Sequence, residues 1–442
     1  MALNHQFWRD AVGKAKINYR LYASLLVMGL CPAIYQAVRI FFLGQMPDPG
    51  AYSIAGQLSW VQLLYEIVQE TVLLPLYFFL GQVVSDNVSF GNRVRSGLWL
   101  TAGIWTALAV AVSAFARPLL GWMAAAPDII EASATYIRIE SFANIFATLF
   151  SFALVALVTL GREKWLYAIT GARLVLSILL DCLFFSNLPF SLRLGVNGIG
   201  WSNLAANGIL FVVALALLAR EGVPLGGKLS FGWAREFFQV SSLSGLESFV
   251  RNFAYMAMVV RMVNVVQEQG LYWTANNFIW GWLLLPVTQL GELVKRDVAT
   301  NAGRLRQKVR NYAVMTAGIC CVWVVSIPLW KPFMSGILGY ADTDRLVQLV
   351  LLLLGFYVVF AFQNIIHAVF FGLGKTNYLL VQSVVTNAVY YGGAFLLYRA
   401  DIWVPTLNGI ALLFGWGMVF GAGVTAVLYW WLLRSRRQLA AA

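Results

Sequence analysis

Residues 346–371 read LVQLVLLLLGFYVVFAFQNIIHAVFF, a stretch that contains no Asp, Glu, Lys or Arg. A helix needs about 20 apolar residues to cross the hydrocarbon core of a bilayer. This stretch is therefore long enough to span a membrane as one helix. The rest of the chain repeats the pattern, since apolar stretches alternate with short polar or Gly- and Pro-containing breaks.

The composition of the whole chain agrees with a membrane protein. Of its 442 residues 60% are hydrophobic and only 11% are charged, and the mean hydropathy is +0.74. Soluble domains carry about a quarter charged residues, so a soluble enzyme of this length is excluded. The four cysteines lie inside apolar stretches and the two histidines are far apart, so we expect no disulfide framework and no metal cluster.

Twelve apolar stretches predict an all-α polytopic membrane protein with 12 transmembrane helices. In chain order they cover residues 17–46, 51–84, 97–116, 129–160, 165–187, 196–219, 236–260, 272–294, 311–330, 346–371, 377–398 and 406–433.

The distribution of Lys and Arg predicts the orientation of these helices. With both termini in the cytoplasm, the cytoplasmic segments contain 21 Lys and Arg residues and the opposite loops contain six. Basic residues collect in the cytoplasmic loops of membrane proteins. We therefore expect a multi-pass protein of the plasma or inner membrane with cytoplasmic termini, and the net charge of +12 indicates loop charge rather than a nucleic-acid partner.

The two halves of the chain repeat each other at an offset close to 212 residues. Asn197-Gly198-Ile199 recurs as Asn408-Gly409-Ile410, and Leu160-Gly161-Arg162 recurs as Leu373-Gly374-Lys375. With six spans per half, the two copies have the same orientation and are related by an axis along the membrane normal. We predict parallel six-helix lobes at residues 1–220 and 237–442, joined by a cytoplasmic loop at residues 221–236.

Short motifs give the chain a family resemblance. They are Pro32 followed by Val38-Arg39-Ile40-Phe41-Phe42-Leu43-Gly44, then Leu80-Gly81-Gln82, Leu179-Leu180-Asp181-Cys182-Leu183-Phe184, and Phe370-Phe371-Gly372-Leu373-Gly374-Lys375-Thr376. With these motifs the chain resembles the multidrug and toxic compound extrusion (MATE) family, in the superfamily that also includes lipid-linked oligosaccharide flippases. The resemblance implies export of organic molecules against sodium or proton entry.

The chain departs from this family at its charged positions. Arg39 stands where the family commonly has an aspartate, and Ser177-x-x-x-Asp181 stands where it commonly has Asn-x-x-x-Asp. Glu247 resembles a residue of the family's sodium site in the second lobe. The tenth-span aspartate of that site aligns near Phe360, where this chain has no carboxylate. Standard cation coupling is therefore in doubt in both lobes.

Two pairs of opposite charges lie inside predicted spans. Arg39 and Asp181 sit at similar depths, and opposite charges at such a depth pair rather than face lipid. Glu247 and Arg251 are four residues apart and share one helix face. Each pair is either a substrate- or ion-binding site or a purely structural ion pair.

Three further polar positions complete the candidate site. Glu66 lies about 15 residues into the second span, near the bilayer middle by the rise of 1.5 Å per residue. It has no obvious partner, so it is either a proton carrier or a structural hydrogen-bonding group. Gln363 and His367 form a polar stripe on the tenth span, and His367 is either a titrating cavity group or a hydrogen-bonded core residue.

We expect a secondary-active antiporter that exports a small organic molecule from the cytoplasm by alternating access, driven by a proton or sodium gradient. Arg39 and Arg251 occupy equivalent positions of the repeat and favour a substrate with an anionic group. The alternative is a flippase for a lipid-linked oligosaccharide, a peptidoglycan precursor or another lipid. No convergent nucleophile, base or metal set indicates an enzyme, and we expect a monomer in the lipid bilayer without a cofactor.

Overall fold

The computed structural model of the chain describes residues 17–48, 50–300 and 305–441. Within these ranges a few side chains, that of Glu247 among them, lie outside the description. The described residues form helices and connecting turns without a β-strand.

Twelve long helical segments follow one another along the described chain. They are α1 (Tyr19–Gly44), α2 (Ala51–Gly81), α3 (Asn87–Ala114), α4 (Ile130–Thr159), α5 (Glu163–Phe184), α6 (Asn197–Arg220), α7 (Ala234–Tyr255, Met256–Val260 and Arg261–Val265), α8 (Gln269–Phe278, Ile279–Leu283 and Leu285–Thr300), α9 (Leu305–Gly336), α10 (Thr343–Gly372), α11 (Thr376–Val385, Thr386–Tyr391 and Gly392–Arg399) and α12 (Leu407–Ala441). The middle segment of α7, α8 and α11 is a π-helical turn.

Nine of these twelve segments are long and apolar enough to cross a bilayer by length and composition, counted over the described residues. The other three are α2, α7 and α8. These helices carry charged residues that the sequence places inside the membrane, including Glu66 on α2 and Arg251 on α7. The segments agree with the twelve apolar stretches to within a few residues at most ends.

Helix α3 is the main exception, because it begins ten residues before the apolar stretch at 97–116. The Asp86 side chain caps it by accepting a hydrogen bond of 3.0 Å from the backbone N–H of Val88. Hydrogen bonds from the Ser89 hydroxyl and from the backbone N–H groups of Ser89 and Val88 lower the pKa of Asp86. A cap of this kind extends a helix into polar sequence, where hydropathy alone gives no signal.

The described chain divides into two compact units. The first unit is Ile34–Thr274, and the second comprises the described residues of Met1–Ala33 and Ala275–Ala442. The first unit thus includes α7, which the sequence assigns to the lobe at residues 237–442. The predicted lobe boundaries remain a prediction, since they describe the repeat rather than contacts.

The loop between α6 and α7 is bound to the start of α3 inside the first unit. The Arg95 guanidinium donates to the carbonyl oxygen of Lys228 at 3.2 Å and also to that of Pro224. The Trp233 indole N–H donates to the Ser96 hydroxyl at 2.9 Å. Because its backbone carbonyls have fixed partners, the loop is part of the folded unit rather than a free linker.

Close helix packing in the first unit depends on Gly97 of α3. A Cβ atom at Gly97 would lie 2.6 Å from Cζ of Phe152, which is fully buried on α4. We expect Gly97→Val to lower the free energy of unfolding by about 1–3 kcal/mol, as overpacked cores do. Gly103→Val on the same helix is the matched control, because nothing lies within 4 Å of its Cβ position. Denaturant unfolding in detergent checks this, and equal losses for both variants would contradict it.

Candidate functional site

A buried ion pair lies at the centre of the candidate site in the first unit. Arg39 on α1 donates from Nε to Oδ2 of Asp181 on α5 at 2.8 Å, and from Nη2 to Oδ1 at 3.2 Å. Arg39 is 6% exposed and Asp181 is fully buried. The guanidinium carbon also lies 5.2 Å from the centre of the Tyr35 ring. The pairing of Arg39 with Asp181 is as the sequence predicts, and its two parallel bonds fix both side chains.

Helices α4 and α6 extend this pair into a network. Nη2 of Arg39 donates to Oδ1 of Asn203 at 2.7 Å, and Nδ2 of Asn203 donates to Oε1 of Glu140 at 2.7 Å. The hydroxyl of Ser202 donates to Oδ1 of Asp181. We call these five residues, Arg39, Glu140, Asp181, Ser202 and Asn203, the Arg39 network.

The sequence neighbours of the network explain how the helices present it. Ser202 and Asn203 are adjacent on α6, so one turn of that helix serves both Asp181 and Glu140. Ser177, which the sequence includes in the site, is buried one turn before Asp181 on α5. Its role in binding stays a prediction.

A second charged cluster of the first unit joins α2 and α7. Nη2 of Arg251 donates to both carboxylate oxygens of Glu70 at 2.9 Å, and Nη1 lies 3.4 Å from Oε1 of Glu66. The side chains of Arg251, Glu66 and Glu70 are 41%, 42% and 26% exposed. Glu66 therefore has a cationic partner, which corrects the expectation of a carboxylate without one. The Glu247 side chain lies outside the described residues, so its pairing with Arg251 and its sodium site stay predictions.

The polar stripe on α10 forms a cluster with α12 in the second unit. Nε2 of Gln363 lies 3.2 Å from Nε2 of His367 and 3.1 Å from the hydroxyl of Thr425. Nε2 of His367 lies 3.1 Å from the same hydroxyl. Thr425 is fully buried and also donates to the carbonyl oxygen of Gly421 at 2.9 Å. His367 is therefore a half-buried, hydrogen-bonded residue, and its role as a titrating cavity group stays a prediction.

Sequence reasoning missed several partners in these clusters. Glu140 is the most informative of them, because it is a charged residue with only 3% exposure. It lies ten residues into α4, which is about 15 Å by the helical rise. This depth along the helix is a sequence signal that could have identified Glu140 as a buried residue. The remaining missed partners are Glu70, Ser202, Asn203 and Thr425.

A metal centre is not evident in the described part of the chain. No group of three or more His, Cys, Asp or Glu side chains there is arranged to hold a metal ion.

Comparisons with known proteins identify the fold. The MatE family model matches residues 85–183, less than a quarter of the chain. No curated protein sequence matches the chain. The chain is similar to a multidrug resistance MATE family transporter of the MOP superfamily in an inward-facing conformation, with a TM-score of 0.77, 16% identity, and coverage of 95% of this chain and 98% of that one.

Two further solved structures have the same fold. An outward-facing conformation of a multidrug resistance MATE family transporter matches with a TM-score of 0.63 and 16% identity over 96% of this chain and 95% of that one. A MOP superfamily transporter from Pyrococcus furiosus, described as having reverse polarity of its binding pocket that suggests a different function, matches with a TM-score of 0.65 and 16% identity over 96% and 97% of the two chains.

These matches confirm the predicted fold class, since each covers nearly the whole of both chains. The protein therefore has the twelve-helix fold of the MATE transporters, and its residues 85–183 carry the sequence pattern of the MatE family.

Proposed function

We propose that the protein is a secondary-active antiporter that exports a small organic molecule by alternating access. The shared fold supports a transporter, and that fold occurs in both inward-facing and outward-facing conformations among the matched structures. The observation that carries the proposal is the Arg39 network, in which the charged residues Arg39, Glu140 and Asp181 are buried. Ionisable residues inside a membrane protein are costly and mark substrate or ion pathways.

The coupling ion that we propose is the proton. The Arg39 network contains one guanidinium and two carboxylates, so its charge balance changes when one proton binds or leaves. A sodium ion at Asp181 would instead have to displace a guanidinium that makes two bonds to the carboxylate. Sodium coupling near Glu247 is the second candidate.

The charge of the substrate follows less directly from the geometry. Arg39 and Arg251 both contact internal carboxylates, so an anionic substrate would have to displace Asp181 or Glu70 to reach a guanidinium. Arg39, which stands where the resembled family commonly has an aspartate, supports an anionic group as one candidate. We propose an organic substrate, and the liposome transport experiment described below determines its charge.

Transport by purified protein in liposomes tests the proposal. We expect uptake of either a quaternary ammonium dye or a carboxylate-bearing dye to respond to an imposed pH gradient and to stop when a protonophore removes it. Lys331→Gln is a matched control, because Lys331 forms only an exposed salt bridge of 2.6 Å with Asp344 among the bonds described for it. Dye transport that ignores both pH and sodium gradients would contradict the antiporter and favour the flippase.

Cysteine labelling in intact cells tests the proposed orientation. We expect Gly226→Cys, in the loop between α6 and α7, to react only after the membrane is made permeable. Asp48→Cys, in the turn between α1 and α2, should react with an impermeant reagent from outside. Both positions are exposed, and labelling of both from the same side would refute the topology. The four native cysteines are first replaced, since one of them, Cys321, is exposed.

A further inference from the structure

The Arg39 network is unbalanced in charge if both of its carboxylates are ionised. One guanidinium then faces two negative groups, Asp181 and Glu140, and all three residues are at most 6% exposed. A buried carboxylate without a counter-charge is costly, and in proteins it is neutralised by binding a proton. This cost favours a network in which one of the two carboxylates is protonated.

The hydrogen bonds distinguish the two carboxylates. Asp181 accepts two bonds from the Arg39 guanidinium and one from the Ser202 hydroxyl, and all of these stabilise its ionised form. Glu140 accepts from the neutral amide of Asn203, and the Tyr136 hydroxyl on its own helix is also bonded to it. These two donors also favour an ionised carboxylate, but they carry no charge, so they stabilise ionised Glu140 less than the Arg39 guanidinium stabilises ionised Asp181.

The other charged groups near Glu140 do not remove this difference between Asp181 and Glu140. Helix α6 contributes only the uncharged Ser202 and Asn203 to the network. Near the start of α3, Arg93 donates to the carbonyl oxygen of Phe79 on α2, and Arg95 donates to carbonyl oxygens of the loop between α6 and α7. Arg138 of α4 donates to the Ser113 carbonyl oxygen at 3.2 Å. The titratable groups that act on Glu140 are Arg39 from α1, Tyr65 from α2, Tyr136 from α4 and Asp181 from α5.

We propose that Glu140 is the proton-binding group of the Arg39 network, and that it carries an exchangeable proton while Asp181 stays ionised against Arg39. The proton binds from solution to one carboxylate oxygen and returns to solution unchanged, so no other reactant is required. Asn203 is then a positioning residue. Because Arg39 donates to the side-chain oxygen of Asn203, the amide N–H group of Asn203 faces Glu140.

This inference deepens the proposed function, because it names the group that would take the coupling proton. Its test does not depend on transport. Infrared spectra of the purified protein in lipid nanodiscs report the carbonyl stretch of protonated carboxyl groups directly. We expect such a band at neutral pH, a downshift of this band in heavy water, and its loss at high pH.

Isotope labels and variants assign the band. It should shift in protein that contains carboxyl-¹³C glutamate and stay in place with carboxyl-¹³C aspartate. Glu140→Gln should remove the glutamate band, whereas Glu131→Gln should leave it, because Glu131 is an exposed residue of α4 that pairs with Arg117. A band that follows the aspartate label, or a glutamate band of unchanged intensity in Glu140→Gln, would overturn the assignment.

Two more variants test the charge balance itself. In Asp181→Asn one guanidinium faces one carboxylate, so Glu140 should ionise and the glutamate band should vanish although Glu140 is present. In Arg39→Gln no cation remains, so an additional aspartate band should appear. A glutamate band unchanged in Asp181→Asn would overturn the proposal. Normal proton binding with no dye transport would refute only the proposed function.

Discussion

Glu140→Gln combined with Asp181→Asn is expected to destabilise the protein by about 3–5 kcal/mol, the cost of leaving a buried charge without its partner. Arg39 is 6% exposed and, in this double variant, has no carboxylate among its contacts in the network. Denaturant unfolding of the detergent-solubilised protein measures the loss.

The related variants show whether charge is the cause. Asp181→Asn alone should lose clearly less stability than the double variant, because Glu140 can ionise and balance Arg39. Adding Arg39→Gln to the double variant should recover most of the loss, since no unpaired charge then remains. Strictly additive effects of the three substitutions would show that these residues act independently.

Asn264→Leu is expected to cost about 1–3 kcal/mol, because it leaves buried polar groups without partners. Asn264 on α7 and Gln57 on α2 form a reciprocal amide pair with bonds of 2.8 and 3.2 Å, and both are at most 3% exposed. Nδ2 of Asn264 also donates to the carbonyl oxygen of Met123 at 2.9 Å. The unfolding midpoint in denaturant reports the change.

The double variant Gln57→Leu with Asn264→Leu should lose less stability than the sum of the single variants, because neither amide is then left unpaired. Asn387→Leu is the control, since its amide donates only to Ser383 on the preceding turn of α11 at 3.3 Å among its described bonds. Asn387 is half-buried, so a loss in this control as large as that in Asn264→Leu would mean that the effect does not depend on the buried amide pair.

The helices and their approximate bounds could be predicted from sequence because transmembrane helices share one requirement. Each must cover about 30 Å of hydrocarbon with apolar side chains, and hydropathy measures this property. The start of α3 was missed, because Asp86 stabilises it through a side-chain cap rather than through hydropathy. Arg39 and Asp181 could be paired in advance because two opposite charges at one depth have few alternatives.

The partners of Arg251 show which contacts sequence reasoning does not predict. Its spacing from Glu247 predicts one shared helix face, and that pairing stays a prediction. The described bonds of Arg251 to Glu66 and Glu70 on α2 were not foreseen. Helical periodicity orders side chains around their own axis and does not say which other helix lies opposite. The bond between Asn203 and Glu140 was missed for the same reason, since the two residues lie on different helices and are 63 positions apart in sequence.

The contacts of the loop between α6 and α7 restrict where the chain could be divided into two co-expressed fragments. A break within residues 221–233 would leave Arg251 and Asn264 on a different polypeptide from Glu70 and Gln57, their bonding partners. A break at residues 266–268, between α7 and α8, keeps those bonds and the loop on one fragment. The fragment that ends there contains most of the contact unit Ile34–Thr274, including all of α7, whereas half of the internal repeat ends before α7.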